Sequence, residues 1–220
     1  MLRSTWIVVA AVLLLTSLGA CQNNGRFDAS LNGAAVFTKE SDGNGIQQSA
    51  TISSNYFGTF RFRFRPRHSL IFNYGRAKDS QIYQTAFDYH VLTTITEYSG
   101  AYVYSPFQKG KFEPFVLVGA AALRFNPTST WVVFPDFAVD VPNRVSVNLN
   151  AAKETEAAIL YGVGLDYRLP WKLALRLQYR GFLYSAPDFK VNTDSGGAVS
   201  FATGSRGHMA EPSIGLVFRF

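Results

Sequence analysis

The 220-residue chain contains one cysteine, two methionines and three histidines. A single Cys closes no internal disulfide, so no disulfide framework is available to hold the fold. No Cys-His or His-Glu spacing forms a metal-ligand set, and no metal or cofactor is expected. Glycine-containing stretches such as "GNG", "YGVGLDY" and "SGG" never open a helix after a strand, which excludes a phosphate loop. Beyond the first two dozen residues there is no apolar run long enough for a transmembrane helix. Aromatic residues, by contrast, are plentiful: 19 Phe and 11 Tyr help to bring them to 15% of the chain, a density that suits strands and membrane interfaces. The formal net charge of +6 suits nucleic acid or an anionic membrane surface equally well. The run "RFRFRPRH" superficially suits nucleic acid. A strand with its Arg side chains inward, ending at a positive turn, accounts for it without that partner.

Residues 1–20 read as a secretory signal peptide. Arg3 supplies the positive start, Trp6 to Leu15 the apolar stretch, and Leu18-Gly19-Ala20 the small-residue exit. The segment "LGAC" resembles the lipobox of bacterial lipoproteins, which makes Cys21 a candidate lipidation site; ordinary cleavage after Ala20 is the alternative. Residues 21–26 form a short N-terminal segment, and residues 27–220 one further domain.

That domain repeats a pattern of period two, the signature of strands. In "KLALRLQYRGFLY", Leu173, Leu175, Leu177, Tyr179 and Leu183 oppose Lys172, Arg176, Gln178 and Arg180. In "ETEAAILYGVGLDYR", Ile159, Tyr161, Val163, Leu165 and Tyr167 oppose Gly162, Gly164, Asp166 and Arg168. "TISSNYFGTFRFRF" sets Tyr56, Phe60, Phe62 and Phe64 against Asn55, Thr59, Arg61 and Arg63, and "RFDASLNGAAVFT" sets Phe27, Leu31 and Phe37 against Asp28, Ser30 and Asn32. "EPFVLVGAAALRF" is divided with Phe115, Leu117, Leu123 and Phe125 toward lipid and Val116, Val118, Ala120 and Arg124 inward. In "FDYHVLTTITEYSGAYVYS" both parities are apolar, and keeping Glu97 out of lipid turns Leu92, Tyr98, Tyr102 and Tyr104 outward. "SLIFNYGRA" places Leu70, Phe72 and Tyr74 with Arg76 on one face, which puts Arg76 at the aqueous boundary. "EPSIGLVFRF" closes the set, with Ile214, Leu216, Phe218 and Phe220 toward lipid and Arg219 inward.

These are eight strands, an even number as a closed bacterial barrel requires. Short connections ("RPRH", "SPFQKGK", "LPW") alternate with longer polar ones ("KESDGNG", "AKDSQIYQ", and the stretches around 127–152 and 185–206). Short periplasmic turns alternating with long outer loops define an all-β fold, an eight-stranded antiparallel up-and-down transmembrane β-barrel. A soluble sandwich or lipocalin-like barrel would also alternate and be exported, but with its apolar faces inward and its charges outward.

The stretches "YVYSPFQKGKFEPFVLVGAAAL" and "ILYGVGLDYRLPWKLALRLQYRGFLYSAPDF", with the terminal Phe220, resemble small bacterial outer-membrane β-barrel proteins of the OmpA-like type, without a peptidoglycan-binding domain. The resemblance covers nearly all of the domain. It implies the barrel fold, an outer-membrane location with membrane lipid as surroundings, and recognition of Phe218 and Phe220 by the barrel-assembly machinery. Relatives of this size are anchors, adhesins, small-solute channels or lipid-modifying enzymes, so the resemblance leaves the activity open.

Eight strands enclose an interior that side chains fill. Arg61, Arg63, Glu97, Arg124, Asp166, Arg176 and Arg180 are therefore expected to form a lumen charge network, with Asp28 and Glu211 as further partners. The expected role is structural or surface-interactive, in a monomer with no external partner identified. The alternative is a narrow channel or carrier for small ions or hydrophobic solutes. Among outer loops the third is the longest and most apolar, which makes Trp131, Phe134 and Phe137 a candidate contact surface. A lipid-modifying enzyme would need a nucleophile and a His at the outer rim. His68 falls at an inner turn, His90 near an outer strand end, and His208 has the opposite parity from Glu211 and Ser213, so no catalytic residue is assigned.

Overall fold

The computed structural model describes residues 25–84, 88–133, 144–145, 150–187, 189, 191–192, 198–199 and 203–220. Residues 1–20 and Cys21 lie outside the described residues, as do Phe134 and Phe137. Eight long strands dominate: β1 (Phe27–Thr38), β2 (Ser53–Arg65), β3 (His68–Gln84), β4 (Asp88–Tyr104), β5 (Phe112–Val133), β6 (Glu154–Arg168), β7 (Leu173–Ser185) and β8 (Arg206–Arg219). Each pairs antiparallel with its sequence neighbours, and β8 returns to pair with β1, for example Leu31 with Leu216, so the sheet closes.

The sequence dictates which face turns in. Along β3, Ser69, Ile71 and Asn73 are buried while Leu70, Phe72 and Tyr74 are exposed, the reverse of a soluble protein's preference. An outward band of Leu31, Phe72, Val118, Val163, Leu177, Ile214 and Leu216 faces the hydrocarbon, where apolar side chains are favoured and charges are costly. No helix among the described residues is long and apolar enough to cross a membrane. Phe220 is held in place: its amide donates to the Phe27 carbonyl at 3.0 Å, the Phe27 amide donates back at 3.2 Å, and the two rings stack at 6.2 Å.

The structure corrects three sequence-based expectations. On β5 the faces are reversed: Phe115, Leu117, Leu123 and Phe125 are buried in the interior, and Val116, Val118 and Arg124 face out. Both faces of this strand are apolar over its first two thirds, so bulk does not choose between them. Glu113 shares the parity of Phe115 and is fully buried, which fixes the register the other way. Arg124 is tolerated outside because it sits high on the strand, level with Arg76 through Thr96, at the outer membrane boundary. Second, "AKDSQIYQ" is no loop: β3 runs unbroken to Gln84 and pairs with β4 throughout. Third, the interior is not filled by the charge network alone: Val36, Leu123, Phe125, Leu160 and Phe182 are buried together there.

A strand needs about 9–11 residues to span the hydrocarbon. β3 and β4 have 17 and β5 has 22, so their outer ends project beyond the membrane as a sheet. A short hairpin, Ser41–Gly43 with Ile46–Ala50, adds to it by pairing Gln47–Ala50 with Gln81–Gln84. Its turn uses Asn44 (φ 51°) and Gly45 (φ 74°), residue types that accept the left-handed region this tight turn needs.

Candidate functional site

The lumen holds an inner charge cluster, a second one further out and, above that, a mainly apolar group of side chains. The inner cluster converges from six strands. Asp166 (β6) accepts from Arg176 (β7) through Nε at 2.7 Å and Nη2 at 2.9 Å, and from Arg61 (β2) at 3.3 Å and Arg219 (β8) at 3.2 Å. Glu113 (β5) lies 3.3 Å from both Arg63 and Arg168 and 3.2 Å from Arg219. Asp28 (β1) lies 3.0 Å from Arg63 and 3.6 Å from Arg176. The alternation that sends the lipid-facing Phe and Leu outward sends each of these charges inward, where they are tolerated only as partners.

A belt of uncharged groups connects this cluster to the next. Asn32 donates to Ser30 at 3.0 Å and to Thr59 at 3.3 Å, Thr59 to Asn73 at 2.7 Å, Asn73 to Ser99 at 2.8 Å, and Ser99 to Glu97 at 2.6 Å. Glu97 then accepts both ends of the Arg180 fork, at 2.8 and 2.9 Å. Arg180 also pairs with Glu211, which accepts from Asn55 at 3.0 Å. The Arg180 guanidinium lies 3.6 Å above the Phe57 ring, so an aromatic face replaces part of its lost hydration. Above it, Val36, Leu123, Phe125, Leu160, Phe182 and Phe189 are buried together. Phe189, from the connection after β7, meets Phe125 and Tyr83 edge-on at 6.3 and 6.1 Å.

Six of the seven charges expected in the lumen are there: Arg61, Arg63, Asp166 and Arg176 in the inner cluster, and Glu97 and Arg180 in the outer one. Arg124 is not. Sequence reasoning overlooked Glu113 as an inward charge; its position two residues before Phe115, on a strand next to Asp166, was the available signal. Phe218 faces out and stacks on Phe220 at 6.0 Å. Trp131 lies on β5 with its backbone paired opposite His90. His208 faces out and shares a 2.6 Å hydrogen bond with the Tyr161 hydroxyl, away from Glu211 and Ser213, which are buried on the inner face. His68 opens β3 at the inner turn, where the sequence places it, among the Phe64, Tyr102 and Tyr104 rings, and is bonded to the Tyr102 hydroxyl. No cluster of metal-ligating side chains occurs among the described residues.

A closed eight-stranded barrel with an apolar belt and a charged interior defines a bacterial outer-membrane β-barrel protein. The chain belongs to the outer membrane protein β-barrel domain family, whose model matches residues 7–203. Among solved structures, the outer membrane protein OprG from Pseudomonas aeruginosa is similar over 88% of this chain and 95% of its own, with 13% identity and a TM-score of 0.60. A major outer membrane protein from Thermus thermophilus is similar over 88% and 99%, with 13% identity and a TM-score of 0.51. The outer membrane protease OmpT from Escherichia coli is similar over 88% and 96%, with 6% identity and a TM-score of 0.50. At these identities the likeness is one of fold, and it includes an enzyme. No curated protein matches the sequence.

Proposed function

We propose that the protein is a non-conducting outer-membrane scaffold that acts through its outer surface. The observation that carries this reading is Arg180, fully buried and paired with carboxylates on β4 and β8, directly beneath an apolar core. Ions crossing such a lumen would have to break buried ion pairs and then traverse packed side chains, both costly in a low dielectric. The projecting ends of β3, β4 and β5, extended by the outer hairpin, give the scaffold a broad sheet on which a surface interaction can be built. Trp131, Phe134 and Phe137 belong to this side of the molecule in sequence and are its proposed contact residues.

In the same reading the chain is exported by residues 1–20, carries lipid at Cys21 if the lipobox is used, and is assembled through its C-terminal strand as a monomer without enzymatic activity. Support for the last point is that His208 and the Glu211–Ser213 pair lie on opposite faces of β8. Swelling of liposomes loaded with the refolded protein tests the scaffold: no uptake of small sugars, amino acids or salts is expected, and uptake above that of empty liposomes contradicts it.

A further inference from the structure

At the inner mouth, beneath Arg61 and Arg176, lies a cavity of about 740 Å³. Six of its lining side chains are cationic (Arg26, Arg63, Arg65, Arg168, Lys172 and Arg219) and none is acidic. The carboxylates behind it, Asp28, Glu113 and Asp166, are already shared among Arg61, Arg63, Arg168, Arg176 and Arg219. Eight cations thus face three carboxylates, four if a terminal carboxylate on Phe220 is counted. Residues 1–24 contain no Asp or Glu that could correct the imbalance. The Nε–H groups of Arg63, Arg168 and Arg219 are buried without a hydrogen-bond acceptor among the described residues.

Surplus positive charge on partly buried guanidiniums is destabilising unless an anion neutralises it. Guanidinium forks arriving from β2, β6 and β8 match an oxyanion with several acceptor oxygens, and a phosphoryl group offers more charge and more acceptor directions than a single carboxylate. The volume exceeds what inorganic phosphate fills and falls in the range of small-molecule sites. Phe64 and Phe220 add apolar walls on the lipid side.

We propose that this inner vestibule binds a phosphate-bearing ligand reached from the periplasmic side. The ligand is either a diffusible phosphorylated molecule or the headgroup of an anionic phospholipid in the inner leaflet. The proposal goes beyond the scaffold reading and stands without it, because binding at the inner mouth is read in conducting and non-conducting barrels alike.

The test is calorimetric titration of the refolded barrel in maltoside micelles with pyrophosphate. A parallel arm measures phosphorus-31 line broadening in nanodiscs of phosphatidylcholine containing a few per cent phosphatidylglycerol. Saturable 1:1 binding of pyrophosphate marks a diffusible source, and selective broadening of the phosphatidylglycerol signal marks a lipid source; each supports the site. In either arm the Arg65→Ala, Lys172→Ala double variant, altered only at exposed positions, should bind at least tenfold more weakly while keeping the heat-modifiable gel mobility of a folded barrel. Unsaturable binding in both arms overturns the proposal. Binding left unchanged by the double variant, or matched by sulfate and abolished by moderate sodium chloride, overturns it as well.

Discussion

Arg180 and Glu97 meet across the barrel interior, from β7 to β4, through two parallel hydrogen bonds of 2.8 and 2.9 Å. The guanidinium lies over Phe57 and also pairs with Glu211 on β8, so one side chain joins four strands at one level. Truncating it by Arg180→Ala leaves Glu97 and Glu211 buried without their counter-charge. Breaking a buried pair from one side costs about 3–5 kcal/mol. The urea midpoint of the refolded barrel should fall accordingly, and the triple variant Arg180→Met, Glu97→Gln, Glu211→Gln should recover most of the loss. An unchanged midpoint for Arg180→Ala would show that the pair does not hold the interior.

The reversed faces of β5 are checked by fluorescence. With Cys21 replaced by Ser, a bimane label at Val118→Cys should be quenched strongly by brominated lipid, because Val118 faces out and is 57% exposed. A label at Leu117→Cys, whose side chain is 4% exposed inside the barrel, should escape quenching or prevent folding. The opposite ranking would restore the face assignment read from the sequence.

Much of the barrel is legible in the sequence, and the place where it fails is instructive. Strands β1, β2, β6, β7 and β8 pair polar or charged residues with apolar ones, and a charge such as Asp166 or Arg176 can only face the interior. On β5 the run from Phe115 to Ala122 has no such marker, and the choice falls to a residue at its edge. Arg124 is the misleading edge residue, since snorkelling at the boundary lets it stay outside; Glu113, deep and paired, is the reliable one. The extension of β3 through Lys78, Asp79 and Ser80 is hidden for a different reason: outside the membrane a strand has no need of an oily face. The inner charge cluster depends on six strands meeting at one level, a consequence of register that no single segment encodes.

Asp79 belongs to that outer extension. Burial raises its pKa to about 6, opposed by hydrogen bonds from Thr51 and Gln81. The folded state therefore holds this proton more tightly than the unfolded chain, whose Asp titrates near about 3.9. The penalty of the buried carboxylate is present in full above about pH 6 and fades as the pH falls toward 4, so this group makes the outer sheet more stable in acid. A shift of this size is on the order of 3 kcal/mol. Comparing wild type with Asp79→Asn cancels other groups. The variant should gain protection in hydrogen exchange at Ser80 and its neighbours at about pH 7.5 and little at about pH 3, on either side of the two titrations; an equal gain at both would refute the assignment.

Gly119 on β5 tests the packing between neighbouring strands. A Cβ added there would collide with the Gly100 carbonyl oxygen and with Ala101 on β4, backbone that cannot step aside. At Gly58 the nearest atoms, on Leu31 and Ser30, are 4.0 Å away. Overpacking costs about 1–3 kcal/mol. Gly119→Ala should lower the unfolding midpoint clearly, and Gly58→Ala should leave it near the wild-type value.

Whether the lumen is closed is decided by single-channel recording from refolded barrels in a planar bilayer, with insertion verified by protease protection. A lumen blocked by the Arg180 pairs and the apolar core above them leaves the membrane silent in potassium chloride, sodium chloride and potassium acetate alike. Steady, ion-selective steps that change when Arg180 or Arg176 is neutralised would contradict the closed lumen and make the interior itself the functional path.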